Sequence, residues 1–226
     1  MILTPIDLDR LPAALADFTA ALRRDGQGLA LRVLARIADS LALVEGTDIS
    51  LSQHPDHHRQ ALELLARFGL GVVDSVPEEG VTWDGQAVAG RMEPSVLIHE
   101  VAHFQLAPPS RRWRVDFGLG AGPESGDKAR GEAERRLFGV DCDREEAMAS
   151  LLGVLWEAEL NHPAILAFLE QNWLEGGASA HNLAHFVKVC GQLFDHGFID
   201  RDGRPTETLS DGDLPAISSG SEQPGQ

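Results

Sequence analysis

The stretch between Pro94 and the Pro108-Pro109 pair reads Ser-Val-Leu-Ile-His-Glu-Val-Ala-His-Phe-Gln-Leu-Ala. Proline is tolerated in the first turn of a helix and cannot continue one, so these residues are predicted as a helix over 94–107. That helix carries His99-Glu100-Val101-Ala102-His103. Residues four apart lie on one helix face, about one turn from each other. Two imidazoles so placed can bind one metal ion, and Glu100, beside the first, can serve as general base toward a water on that ion. The bland alternative is two histidines on an ordinary half-buried helix. The apolar neighbours Ile98, Val101 and Ala102 set the pair into packed surroundings, and that context favours the metal site.

The rest of the chain must fold around this helix. Apolar residues recur at helical spacing over 11–24, 29–44 and 60–68, with Asp25-Gly26 and Gly69 as stop signals. From 71 to 91 the pattern breaks into short alternating pieces separated by Gly and Pro-Glu-Glu-Gly, which predicts two or three short strands, and 112–119 reads as another. The Gly-rich, charged stretch 120–136 is expected to be a loop. Helices are expected over 143–160, 163–174 and 179–194. The expected fold class is α+β, mainly helical, with a small β-sheet packed on the HExxH helix. The expected organisation is an N-terminal helical extension (1–70), a metal-binding catalytic domain (71–200) and a polar tail (201–226), with 205–226 too poor in apolar residues to order itself.

A two-histidine site needs a third protein ligand, often a carboxylate, leaving positions open for chemistry. The richest source is Asp143-Arg144-Glu145-Glu146. The apolar side of that helix runs through Met148, Leu151, Leu152 and Leu155. Glu145 lies about 70° from its centre and Glu146 nearly opposite, so Glu145 is the favoured ligand, with Asp141 and Glu146 as alternatives. These acids also suit the positive end of the helix dipole without any metal.

Residues 95–118, SVLIHEVAHFQLAPPSRRWRVDFG, resemble the core of the elongation factor P hydroxylase family. The matching positions are His99, Glu100, His103, Ala107, Arg111, Arg112, Val115, Asp116, Phe117 and Gly118. A looser likeness extends over 72–195, leaving the first 70 residues as an addition. The resemblance implies an iron-dependent monooxygenase that hydroxylates a modified lysine on elongation factor P, with Fe(II) held by two His and a carboxylate. It implies His99, His103 and Glu145 as ligands and Glu100 as a proton-transfer group. It implies Arg111, Arg112 and Asp116 as residues that orient the site or meet the substrate. The chain departs from the family after Gly118, where Leu-Gly-Ala-Gly-Pro-Glu-Ser-Gly replaces several aromatics and a Pro-Asp-Gly turn.

HExxH by itself favours a zinc metallopeptidase, and only the Arg111-Arg112 and Asp116-Phe117-Gly118 match turns the reading to the hydroxylase; a metal-stapled, non-catalytic protein-binding module is a third reading. Iron and zinc share these ligand types. Other groupings carry less. His181 and His185 repeat the spacing, without a following Glu and on a helix rich in core residues. His54, His57 and His58 read as a helix start, Cys142 as an inert thiol, and Gly118, Gly120 and Gly122 as no phosphate loop, because no Lys-Ser/Thr follows. There is no Tyr, so no tyrosine chemistry is open.

A net charge of −16 argues against nucleic-acid or anionic-membrane partners and suits a basic or locally cationic one, with no long-range steering toward an acidic protein. The protein substrate, elongation factor P, is what the resemblance implies. No apolar run is long enough to span a membrane. The first residues carry acids where a secretory signal would carry bases, and the two cysteines are too few for a disulfide scaffold, so the cytoplasm is the expected compartment.

Overall fold

The computed structural model describes residues 9–44 and 54–212. Among them are eight α-helices and one two-stranded sheet, a mainly helical α+β fold. Three helices open the chain. α1 (Leu11–Arg24) buries Leu11, Leu15, Phe18, Ala21 and Leu22. α2 (Gly28–Asp39) buries Ala30, Val33, Leu34 and Ile37 and runs into a 3-10 turn at Ser40–Leu43. α3 (Pro55–Arg67) buries Ala61, Leu64 and Leu65 and is capped by His54, whose ring accepts from Asp56 N. These faces belong to the same continuous apolar core as the rest of the described chain.

Strands β1 (Gly71–Val73) and β2 (Ala87–Ala89) pair in parallel, Val72 opposite Val88. Next comes α4 (Pro94–Leu106), buried at every position except Val96 and His99. A helix buried almost all round needs neighbours on all sides. α3 packs on one side and the long α6 (Gly139–Glu159) on another. Gly153 of α6 explains how closely α6 approaches: a Cβ there would stand 3.4 Å from His99 Cα. Glycine inside a helix costs about 1 kcal/mol against alanine; here it lets α6 lie directly against the His99 turn. α5 (Lys128–Ala133), α7 (Ala164–Glu170) and α8 (Ala180–Asp195) complete the fold.

Three expectations are corrected. Within the stretch 120–136, expected to be a loop, Lys128–Ala133 form α5, capped by the Asp127 carboxylate accepting from Arg130 N. Residues 112–119 are not a strand. Val115–Gly118 form a 3-10 turn in which Asp116 (φ 43°) and Phe117 (φ 52°) are left-handed. The buried Asp116 carboxylate accepts from Thr82 Oγ1, Trp83 N and Ser125 Oγ, and these local bonds hold a turn that a strand ladder could not. The polar segment after Arg201 is also not free through its first part. Gln105 Nε2 donates to the carbonyls of Thr206 (2.8 Å) and Thr208 (3.0 Å), and Arg112 Nη2 to that of Ser210 (2.6 Å). Few apolar contacts are needed, because the buried Gln105 and Arg112 satisfy themselves on this backbone. The part of the expected tail beyond 212 lies outside the described residues, as does the start of the expected N-terminal extension.

Candidate metal centre

α4 presents His99 and His103 one turn apart, rings nearly perpendicular at 86° and centroids 4.5 Å apart. Their Nε2 atoms are 2.9 Å from each other. α6 brings Glu146 over them: Oε2 lies 3.4 Å from His103 Nε2 and 3.9 Å from His99 Nε2. One donor atom from each of the three residues falls within 4.8 Å of the others. Ligand atoms about 3 Å apart are what one ion at about 2.0–2.2 Å from each requires. Two imidazole nitrogens and a carboxylate oxygen suit Zn or Fe, and three protein ligands leave positions open.

The electrostatics of the cluster suit a cation. Burial pushes His99 down to about 3, with His103 beside it adding to the shift. Burial also opposes charge on His103, but Glu146 facing it, with help from Glu100 and Glu145, outweighs this and lifts it to about 9. Burial alone would raise Glu146; the imidazoles of His103 and His99 and then Arg135 bring it down to about 2. The cluster thus keeps one proton between two imidazoles and a carboxylate, the place a divalent ion would take. Glu100 is buried, and desolvation, opposed by His103 and reinforced by Asp116, Glu124 and Glu146, pushes it up to about 8.

Glu146, and not Glu145, therefore stands beside the pair. Glu145 is not in the metal group; it is 2% exposed and ion-pairs with Arg111, which is also buried. The face argument failed because α6 is buried on all sides from Leu151 to Glu157, so the centre of its apolar side says little about which side meets α4. A better signal was present: Glu146 and Gly153, seven apart, share a face, and at Gly153 the backbone of α6 lies directly against His99. Asp141 is taken by Arg144 at 3.2 Å.

Arg111 also donates from Nη1 to the Phe117 carbonyl at 2.7 Å. Arg112 does not approach the imidazoles; its Nε donates to the Phe104 carbonyl and its Nη2 to Ser210, so it is a strut for the C-terminal segment rather than a substrate contact. Asp116 is a turn anchor one layer below the site. Two consecutive left-handed non-glycine residues cost on the order of 1–3 kcal/mol each, and such strain tends to gather near functional sites.

His99 and Glu146 open onto a cleft of ≈ 530 Å³ whose wall includes Ser95, Glu124, Ser150, Glu170, Gln171, Trp173 and His185. Among the described residues three carboxylates and two imidazoles line it, with no Lys or Arg. Burial, then Glu93 and Glu124, raise Glu170. Sequence reasoning did not single out Glu124, Glu170 or Trp173; they come from a loop, the end of α7 and the turn after it, which only the tertiary fold brings to this cleft. His185 does reach this cleft, stacked on Trp173 with centroids 5.3 Å apart. It forms no metal group with His181 among the described residues. The third histidine cluster is structural: His57 stacks on His162 at 4.1 Å, and a ring nitrogen of His58 lies 2.9 Å from the Gly90 carbonyl oxygen. Cys142 and Cys190 are both free thiols, and Cys142, part-buried, takes no place in the metal group. Among the described residues no helix is long and apolar enough to cross a membrane. Comparison of the chain with protein-family models, with curated proteins and with solved structures finds no match.

Proposed function

We propose that this chain is a metal-dependent oxygenase, an Fe(II) hydroxylase acting on a protein side chain in the cytoplasm. One observation carries the reading: two imidazoles and one carboxylate converge on a single point at the edge of an open cleft. His99, His103 and Glu146 would hold the ion, and Fe(II) so held supplies activation of dioxygen. The likeness of residues 95–118 to the elongation factor P hydroxylases, with His99, Glu100 and His103 in the matching places, supports iron and a protein substrate. Glu100 would hold a proton near the site, and the carboxylates of Glu124 and Glu170 would receive a positively charged substrate group. The third ligand in this reading is Glu146; Glu145 works through Arg111.

A zinc hydrolase is the second reading. It is favoured by Glu100 itself, which follows His99 and lies close enough to His103 to influence its ionisation. There Glu100 would take a proton from the attacking water.

The test is metal content by mass spectrometry on protein purified without oxygen, with His99→Ala and Glu146→Ala alongside. Stoichiometric iron lost in both variants is the expected result. Incubation with elongation factor P, dioxygen and a reductant should then add one oxygen atom to the substrate mass. Zinc in place of iron, with peptide cleavage lost in Glu100→Gln, would replace the proposal with the hydrolase; no metal in the parent protein would end both.

A further inference from the structure

We infer that Phe117 is a positioning residue for His103, and that the left-handed turn at 116–118 serves to place its ring; the inference rests on the metal-site reading above. A metal-binding imidazole ordinarily donates its second ring N–H to a carboxylate, carbonyl or water, which fixes the tautomer and the ring plane. Among the described residues no protein group accepts from His103 Nδ1 or His99 Nδ1, although both atoms are buried. A ring contact holds His103 instead. His103 stacks on Phe117, with centroids 5.7 Å apart and planes 22° from parallel. Phe117 in turn lies flat on Trp83, 5.4 Å away at 7°. Trp83 is pinned by its indole Nε1, which donates to the Arg112 carbonyl at 3.0 Å. Three rings thus form one pile, and the outermost is the candidate ligand.

The backbone that delivers Phe117 is held from several sides. Asp116 N donates to the Trp83 carbonyl at 3.0 Å. The Asp116 carboxylate accepts from Thr82 Oγ1 at 3.0 Å, from Trp83 N at 3.3 Å and from Ser125 Oγ at 3.0 Å. The Phe117 carbonyl accepts from Arg111, whose guanidinium is itself fixed by Glu145. A turn needed only to reverse the chain would use Gly or Asn at these angles; a bulky aromatic there is a rare choice. The stack gives that choice a purpose. It also gives Glu145, Arg111 and Asp116 a shared role: they act on the ligand through the ring of Phe117.

The experiment is Co(II) binding to chelator-stripped full-length protein, read by competition titration and by the visible absorption of the bound ion. The proteins are the parent, Phe117→Leu, Phe117→Met and Phe117→Tyr, each checked for folding by circular dichroism. Loss of the ring should weaken Co(II) binding by about 10–100-fold, the usual effect of removing a ligand's supporting partner, and alter the absorption. Phe117→Tyr, which keeps the ring, should retain both. Folded Leu and Met variants that bind Co(II) with parental affinity and spectrum would show that Phe117 only fills the core, and the inference would be wrong. A parent that binds no Co(II) would bring down the metal-site reading and this inference with it. Should no variant fold, the metal-free parent decides: His103 ring protons shifted upfield by the Phe117 ring current support the stack, and unshifted ones overturn it.

Discussion

α4 and α8 each carry two histidines four residues apart, His99/His103 and His181/His185, yet the two pairs live in different surroundings. The α4 pair sits mid-helix in the core, its Nδ1 atoms buried and its Nε2 atoms turned to one point. The α8 pair opens its helix: His181 is exposed, and His185 lies flat on Trp173. α6 crosses the first pair closely enough to add Glu146, while no third donor joins the second among the described residues. Spacing makes a pair possible; a second helix at the right distance turns it into a site. Burial of the imidazoles adds the driving force, since desolvated rings facing a carboxylate are better satisfied by a cation than by a shared proton.

The sharpest way to break this comparison is to exchange the pairs' fates. His103→Ala should bring metal content, measured by mass spectrometry, from stoichiometric to background. His181→Ala and His185→Ala should leave it unchanged. Equal losses from both helices would show that the α4 pair is not special.

The neighbours Glu145 and Glu146 sharpen the same point. Glu145→Ala strands the buried Arg111 guanidinium, and breaking such a pair costs about 3–5 kcal/mol. Denaturant unfolding of the metal-free protein should show that loss. Glu146 is about half exposed, so Glu146→Ala should change metal-free stability by less than about 1 kcal/mol while removing the metal. The reverse pattern would restore Glu145 as the ligand.

A pH-dependent effect comes from Glu157, further along α6 and buried. Desolvation, with Glu170 adding, pushes it from 4.5 up to about 8. The folded protein therefore holds this proton where the unfolded chain has released it. Stability contributed by the neutral acid is complete below about pH 4.5 and declines as pH rises toward 8, by at most about 1.4 kcal/mol per pH unit. Urea unfolding at several pH values should show a shallower decline in Glu157→Gln than in the parent. Parallel curves would mean that Glu157 is not held neutral.

The local features that make the site possible were legible because they are local. Prolines bracket α4, the i, i+4 rule puts His99 and His103 on one face, and the apolar periods of α1, α3 and α8 appear within a few residues of their observed limits. The strand expected at 112–119 was misread because alternation ignores what a buried Asp does when three donors are within reach.

What the chain alone determined is thus the pair: helix geometry is a property of neighbouring residues, and it set His99 and His103 on one face in any fold that keeps α4 helical. What only the tertiary structure decided is the third donor, the cleft and the ring pile. Glu146 faces the pair because Gly153 lets α6 settle against His99, and Phe117 lies on His103 because Thr82, Trp83 and Ser125 hold Asp116 from distant parts of the chain. Those distances depend on how two helices pack and where a turn is pinned, and no periodicity within a single segment encodes either.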